Sequence, residues 1–131
     1  MKSPPILTDI MKAISDNKSI NIFRSIAKND VESEVLKQTK GLTRKQYYSR
    51  MRQLVNAGVI EKKNGCFSLT CLGAVVYQAQ LIVESGINSY WKLKAIDSIQ
   101  GAEQIAEHER LKLVKTILND NEMENILVKH A

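Results

Sequence analysis

Apolar positions recur at helical spacing along most of this chain, and one short interval breaks that rhythm. Ile6 to Ile14 predicts a short leading helix with Thr8 as its cap, after Pro4 and Pro5 keep the start of the chain extended. Ile20, Ile22, Phe23, Ile26 and Ala27 predict a second amphipathic helix capped by Ser19. Val35 and Leu36 centre a third, over Val31 to Lys40, which Gly41 ends. Thr43 then caps a helix of about four turns over residues 43–57, with Tyr47, Met51, Leu54 and Val55 on its apolar side. Gly58 supplies the left-handed residue that stops it.

From Val59 to Lys63 and from Cys66 to Thr70 the period becomes two, and Asn64-Gly65 lies between the two runs. That dipeptide tolerates positive φ at both centres of a type I′ turn, so a tight hairpin is predicted, with Ile60 opposite Leu69 and Lys62 opposite Phe67. One of its faces is apolar and ends on Lys62, so register and pattern agree. Thr70 caps the helix that begins near Cys71, and Gly73 leaves room for close packing.

The remainder is helical. Leu72, Val75, Val76, Ala79, Leu81, Ile82 and Val83 are too apolar for a helix exposed on more than one side, so this segment needs a partner surface. Gly86 is expected to bend or divide it before Ile87, Tyr90, Trp91, Leu93, Lys94, Ile96 and Ile99 continue the pattern. A further helix is expected from Ala102 to Leu118, and Asp120 caps a last short one through Val128. The fold class is therefore mainly α with a small two-stranded β-hairpin: residues 8–73 form one domain and 74–131 a C-terminal helical region. At 131 residues the chain can build one sizeable core.

Charge is concentrated where the period changes. Residues 40–63 carry seven basic side chains against Glu61 alone, a net +6, whereas residues 1–39 sum to +1 and residues 64–131 to −2, within a total of +5. The polar side of the 43–57 helix holds Lys45, Gln46, Ser49, Arg50, Arg52 and Gln53, with no carboxylate anywhere in the helix. A merely solvated helix usually mixes its signs to gain i,i+4 pairs. A basic helix followed by a basic hairpin suits a surface of phosphates.

This order resembles the winged helix-turn-helix regulators of archaea and bacteria, the group that includes the ArsR-like and MarR-like repressors. Leu42-Thr43, Met51-Arg52-Gln53-Leu54, Asn56-Ala57-Gly58-Val59-Ile60 and Leu69-Thr70 with Gly73 carry the resemblance, which covers residues 10–75. It implies a winged helix-turn-helix followed by C-terminal helices, in a transcriptional regulator that binds double-stranded DNA sequence-specifically. On that reading Lys45, Gln46, Ser49 and Arg50 reach base edges in the major groove, while Arg44, Arg52 and, on the wing, Lys62, Lys63 and Asn64 meet phosphates. Tyr48 either caps the core or lies on the backbone.

Operator half-sites about 34 Å apart suit a two-fold homodimer. Leu81, Ile87, Tyr90 and Trp91 are its expected interface, with Tyr90 and Trp91 read alternatively as ligand-pocket anchors or core aromatics. An effector ligand is compatible with the pattern. The alternative is a winged-helix protein-protein interaction module without specific DNA binding.

Other chemistry is sparse. Cys66, Cys71, His108 and His130 do not make a four-ligand zinc pattern, and reduced thiols are the default, with Cys71 at a helix start the better redox sensor. Glu103, Glu107 and Glu109 beside His108 sit among Arg110 and Lys112, as an exposed mixed-charge face would. With no glycine-rich phosphate loop or nucleophile elbow, neither an enzyme nor a cofactor or metal is expected. No run of about eighteen apolar residues suggests a membrane span, and none reads as a signal peptide, so a cytoplasmic, nucleoid-associated protein is expected, with the resemblance pointing to an archaeon.

Overall fold

Seven helices and one hairpin make up the described residues, 3–28, 41–102 and 104–129, of the computed structural model. In chain order they are α1 (Leu7–Ala13), α2 (Asn17–Ala27), α3 (Arg44–Asn56), β1 (Ile60–Lys63), β2 (Cys66–Leu69), α4 (Cys71–Asn88), α5 (Tyr90–Gln100), α6 (Glu107–Leu118) and α7 (Asn121–Lys129). The architecture is mainly α with one antiparallel two-stranded sheet, as the hydrophobic pattern predicts. The helix expected over residues 31–40, Glu103 and His130 lie outside the described residues. Two compact units divide the chain, Met1–Gln78 and Ala79–Ala131.

In the first unit, capping chemistry sets where the helices begin. Thr8 does not cap α1: the Asp9 carboxylate reaches back to the amide of Ile6, at 3.2 Å, and Thr8 lies inside the helix. Ser19 is likewise not the cap of α2, because Asp16 accepts from the Ser19 amide at 2.8 Å and Ser19 becomes a buried residue of the first turn. A cap's side chain serves the amide two or three residues on, so the bond from the Ser19 amide makes Asp16 the cap. Thr43 does cap α3, in a reciprocal box: its hydroxyl accepts from the Gln46 amide and the Gln46 side chain accepts from the Thr43 amide, both at 3.1 Å.

The end of α3 is closed as carefully as its start. Gly58, at φ +80°, donates to Val55 O at 3.0 Å, and Val59 donates to Leu54 O at 3.2 Å. That is the Schellman pair of bonds, and Leu54 and Val59, the apolar contact that accompanies it, are both fully buried. Around them gather Ile22, Phe23 and Ile26 of α2, Met51 of α3, Ile60 of β1 and Ile10 of α1. Phe67 and Leu69 of the hairpin and Val76 and Tyr77 of α4 cover this core, the Tyr77 ring meeting Phe23 edge-on at 6.5 Å. Each large apolar side chain withdrawn from water in this way contributes about 1.5–3 kcal/mol. Val55, expected on the apolar side, is 39% exposed, because it lies about 80° around the helix from Tyr47.

The hairpin register is Ile60 with Leu69, Glu61 with Ser68, Lys62 with Phe67 and Lys63 with Cys66. Asn64 and Gly65 take φ of 52° and 79°, the two positive values that a type I′ turn requires. Thr70 then makes a joint. Its amide donates to Val59 O at 3.2 Å, its hydroxyl donates to Gly58 O at 2.6 Å, and the same oxygen accepts from the Gly73 amide at 2.9 Å to cap α4.

The second unit has its own core of Ile96, Val114, Leu118 and Met123, covered by Leu93, Ile117 and Leu127. Gly86 does not divide the helix: α4 runs through it to Asn88, and the break falls at Ser89, whose type favours ends over helix interiors. Nor does α6 begin at Ala102. It starts at Glu107, and Arg110 donates back to Ala102 O across the intervening residues. Asn119, at φ +50°, ends α6, and the Asp120 carboxylate caps α7 by accepting from Glu122 and Met123.

A Cβ built on Gly73 falls 2.0 Å from Val59 O and 2.9 Å from Leu69 Cδ1, closer than any side chain can approach a carbonyl. Gly73→Ala is therefore expected to destabilise the protein by about 1–3 kcal/mol or more, read as a lower midpoint in urea unfolding. An unchanged midpoint would mean that the hairpin is not held against α4 as described.

Candidate functional site

Four sides of α3 follow from a turn of about 100° per residue. Tyr47, Met51 and Leu54 face the core. Lys45, Ser49 and Gln53 form an exposed row on the opposite side. Arg44, Tyr48 and Arg52 form a second exposed row along one flank, and Gln46 and Arg50 lie along the other. The helix carries no carboxylate on any side.

On the flank of Gln46 and Arg50, Arg50 is tied down and half-buried. Arg50 Nη1 donates to Asp16 and, at 2.8 Å, to the Ser19 hydroxyl, so α3 is tied to the first turn of α2. Arg50 in turn, with help from the Ser19 amide, holds the Asp16 carboxyl below its ordinary pKa. Asp16 thus serves as helix cap and as counterion at once. Its part in the site is the main one hidden from the sequence: Asp16 and Arg50 are 34 residues apart, and the spacing predicts Ser19, three residues later, as the cap.

A groove of about 410 Å³ separates α3 from the α1–α2 corner. Lys12, Ser15 and Asp16 line one wall. The other is the α3 surface from Lys45 to Gln53, through Gln46, Ser49 and Arg50. Among the described residues three cations and one carboxylate face this space, and the carboxylate is already matched by Arg50.

Gln46 has its side-chain carbonyl committed to the Thr43 amide. Tyr48 is exposed and stacks edge-on against Tyr47 at 5.3 Å. At the hairpin, the Lys62 ammonium lies 5.5 Å from the centre of the Phe67 ring, and Lys63 pairs with Glu61 at 3.1 Å, while Asn64 sits at the exposed turn. Among the residues expected at an interface, Leu81 is half-buried, but Ile87, Tyr90 and Trp91 are exposed, which removes the reading of the two aromatics as core residues.

Cys66 and Cys71 are free and exposed, and among the described residues no group of His, Cys, Asp and Glu could hold a metal ion. A second cleft of about 470 Å³, in the Ala79–Ala131 unit, is walled by Ile105, Leu111, Val114 and Leu127, with Arg110 the cation on its wall.

A carboxyl whose pKa is lowered by folding stabilises the folded state above its unfolded value, and that contribution is lost as pH falls through the folded value. Wild-type protein is therefore expected to lose stability from about pH 4 downwards, where an unperturbed Asp takes up its proton. Asp16→Asn keeps the cap but not the charge, so it should melt lower at pH 7 and show a shallower acid limb in thermal melts between pH 7 and pH 3. Parallel limbs would show that the Asp16–Arg50 pair contributes nothing. Comparison of the chain with protein-family models, with curated proteins and with solved structures finds no match, so the site's own residues carry its assignment.

Proposed function

We propose that this protein is a sequence-specific binder of double-stranded DNA, a transcriptional regulator of the winged helix-turn-helix kind, with α3 as recognition helix and the β1–β2 hairpin as wing. One observation carries the reading: a capped helix, anchored at both ends and along one flank, presents cations, amides and a hydroxyl outward with no carboxylate among them. A major groove about 12 Å wide admits such a helix. The outward row of Lys45, Ser49 and Gln53 would then reach base edges, and the row of Arg44, Tyr48 and Arg52 would meet the phosphates of one strand. On the wing, Lys62 and Asn64 would meet phosphate, and Lys63 would contribute less because Glu61 offsets it.

Arg50 takes a different role in this reading. Its Nη1 is committed to Asp16 and the Ser19 hydroxyl, so Arg50 would orient the helix, with Nη2 and Nε–H left to meet the duplex from a fixed position. Gln46 is restrained in the same way, since a two-bond contact to adenine needs the carbonyl that now caps α3.

The partner in solution is a second copy of the chain. Val83, Ile87 and Trp91 recur every four residues and are 62%, 66% and 80% exposed, with Tyr90 beside them. Large apolar side chains clustered in the open mark an interaction surface. A two-fold dimer would present two recognition helices to half-sites about one helical turn apart. Its place of action is the nucleoid, in keeping with the lack of any described helix long and apolar enough to cross a membrane.

Fluorescence anisotropy with the protein's own upstream region and a random duplex tests the reading. The upstream duplex should bind tighter, and Lys45→Ala or Ser49→Ala should lose about tenfold of that preference. Weak binding, equal on both duplexes and indifferent to these changes, would instead favour a protein-interaction module. Sedimentation equilibrium should give the mass of two chains for the natural protein and of one chain for Trp91→Ser. A single-chain mass for the natural protein at tens of micromolar, on the order of a typical transient affinity, would discard the dimer.

A further inference from the structure

We infer that the groove between the α1–α2 corner and α3 seats one backbone phosphate of the duplex, held by Lys12, Ser15 and the free donors of Arg50. This rests on the DNA-binding reading and adds residues that no feature of the 43–57 helix or the hairpin would suggest.

The chemistry of the groove selects the ligand. Among the described residues that line it, Lys12, Lys45 and Arg50 stand against Asp16 alone, a net charge of two positives. None of the described residues that line it is apolar, so what they offer is polar and charged contact. The Lys12 and Lys45 ammoniums and the Ser15 hydroxyl make no bond among the described residues, and both bonds of Arg50 use Nη1, leaving Nη2 and Nε–H as donors. A phosphate diester, with its charge shared over two oxygens that accept several bonds, matches a ring of donors of this kind.

Position makes the same choice. A helix lying in a major groove turns its two flanks toward the two strands. Arg44, Tyr48 and Arg52 occupy one flank of α3, and the groove with Lys12 and Ser15 borders the other. The duplex would thus be held on both sides of the reading row, and Asp16 keeps Arg50 oriented without cancelling the field of the two lysines.

Because a phosphate contact carries no sequence information, its loss has a recognisable signature. Lys12→Ala, a change at an exposed position, should weaken binding several-fold on the upstream and the random duplex alike. The slope of log K against log salt should fall by about one, the contribution of a single released counterion. A Lys12→Ala slope equal to that of the natural protein, while Lys45→Ala still loses specificity, would overturn the phosphate seat and leave the DNA-binding reading standing. Failure of the natural protein to bind either duplex would overturn both.

Inorganic phosphate separates a duplex site from a site for a small anion. Followed by the amide resonances of Ser15 and Ser49, it should bind only in the millimolar range and be displaced by either duplex. Tight saturation that the duplex does not reverse would assign the groove to a free anion and overturn the proposal.

Discussion

The first unit depends on a close approach that only glycine permits. Val59 O points at the backbone of Gly73, where a methyl group would overlap it, and Thr70 bridges the same gap with its amide and hydroxyl. Three elements meet there: the end of α3 at Gly58, the strand that follows, and the start of α4. Because the left-handed Gly58 and the fully buried Leu54–Val59 contact fix how the chain leaves α3, the hairpin has one exit direction. The exposed side of α3 is then a fixed surface, with its base cemented by Met51 and Leu54.

A second fastening works through charge. Asp16 caps α2 and accepts from Arg50, so the start of one helix and the flank of another share a single carboxylate. The pair is partly solvated, and an isolated exposed pair contributes little. Here it is reinforced by the Ser19 hydroxyl, itself on a buried residue, and its effect lies in orientation more than in stability.

Much of this was legible in the chain itself, for local reasons. Thr43, Gly58, Asn64-Gly65, Thr70 and Asp120 each act on atoms within a few residues, so their roles follow from type and spacing, although the reciprocal bond that commits Gln46 to the Thr43 amide was not anticipated. The hairpin register was legible too, since a two-residue turn leaves no freedom in pairing. What stayed hidden was set by distant partners. Arg50 looks like its neighbours Arg44 and Arg52 until Asp16 arrives from 34 positions away. Lys12, in a short leading helix, joins the candidate site only because the α1–α2 corner folds beside α3. Gly86 misled for a related reason: a glycine can end a helix, yet here it stands beside Leu93 and the helical bonding runs past it.

The bonding of α3 divides its surface into residues that build and residues that are idle. Thr43, Gln46 and Arg50 are engaged in caps and ties, while Lys45, Ser49 and Gln53 make no side-chain bond among the described residues. Substitution along the idle row therefore leaves the scaffold untouched. A lineage could exchange those three side chains, one at a time, while keeping the same folded frame. The division of labour on one helix leaves its outward chemistry far more free to drift than its architecture, and on the DNA-binding proposal that chemistry would be the protein's selectivity.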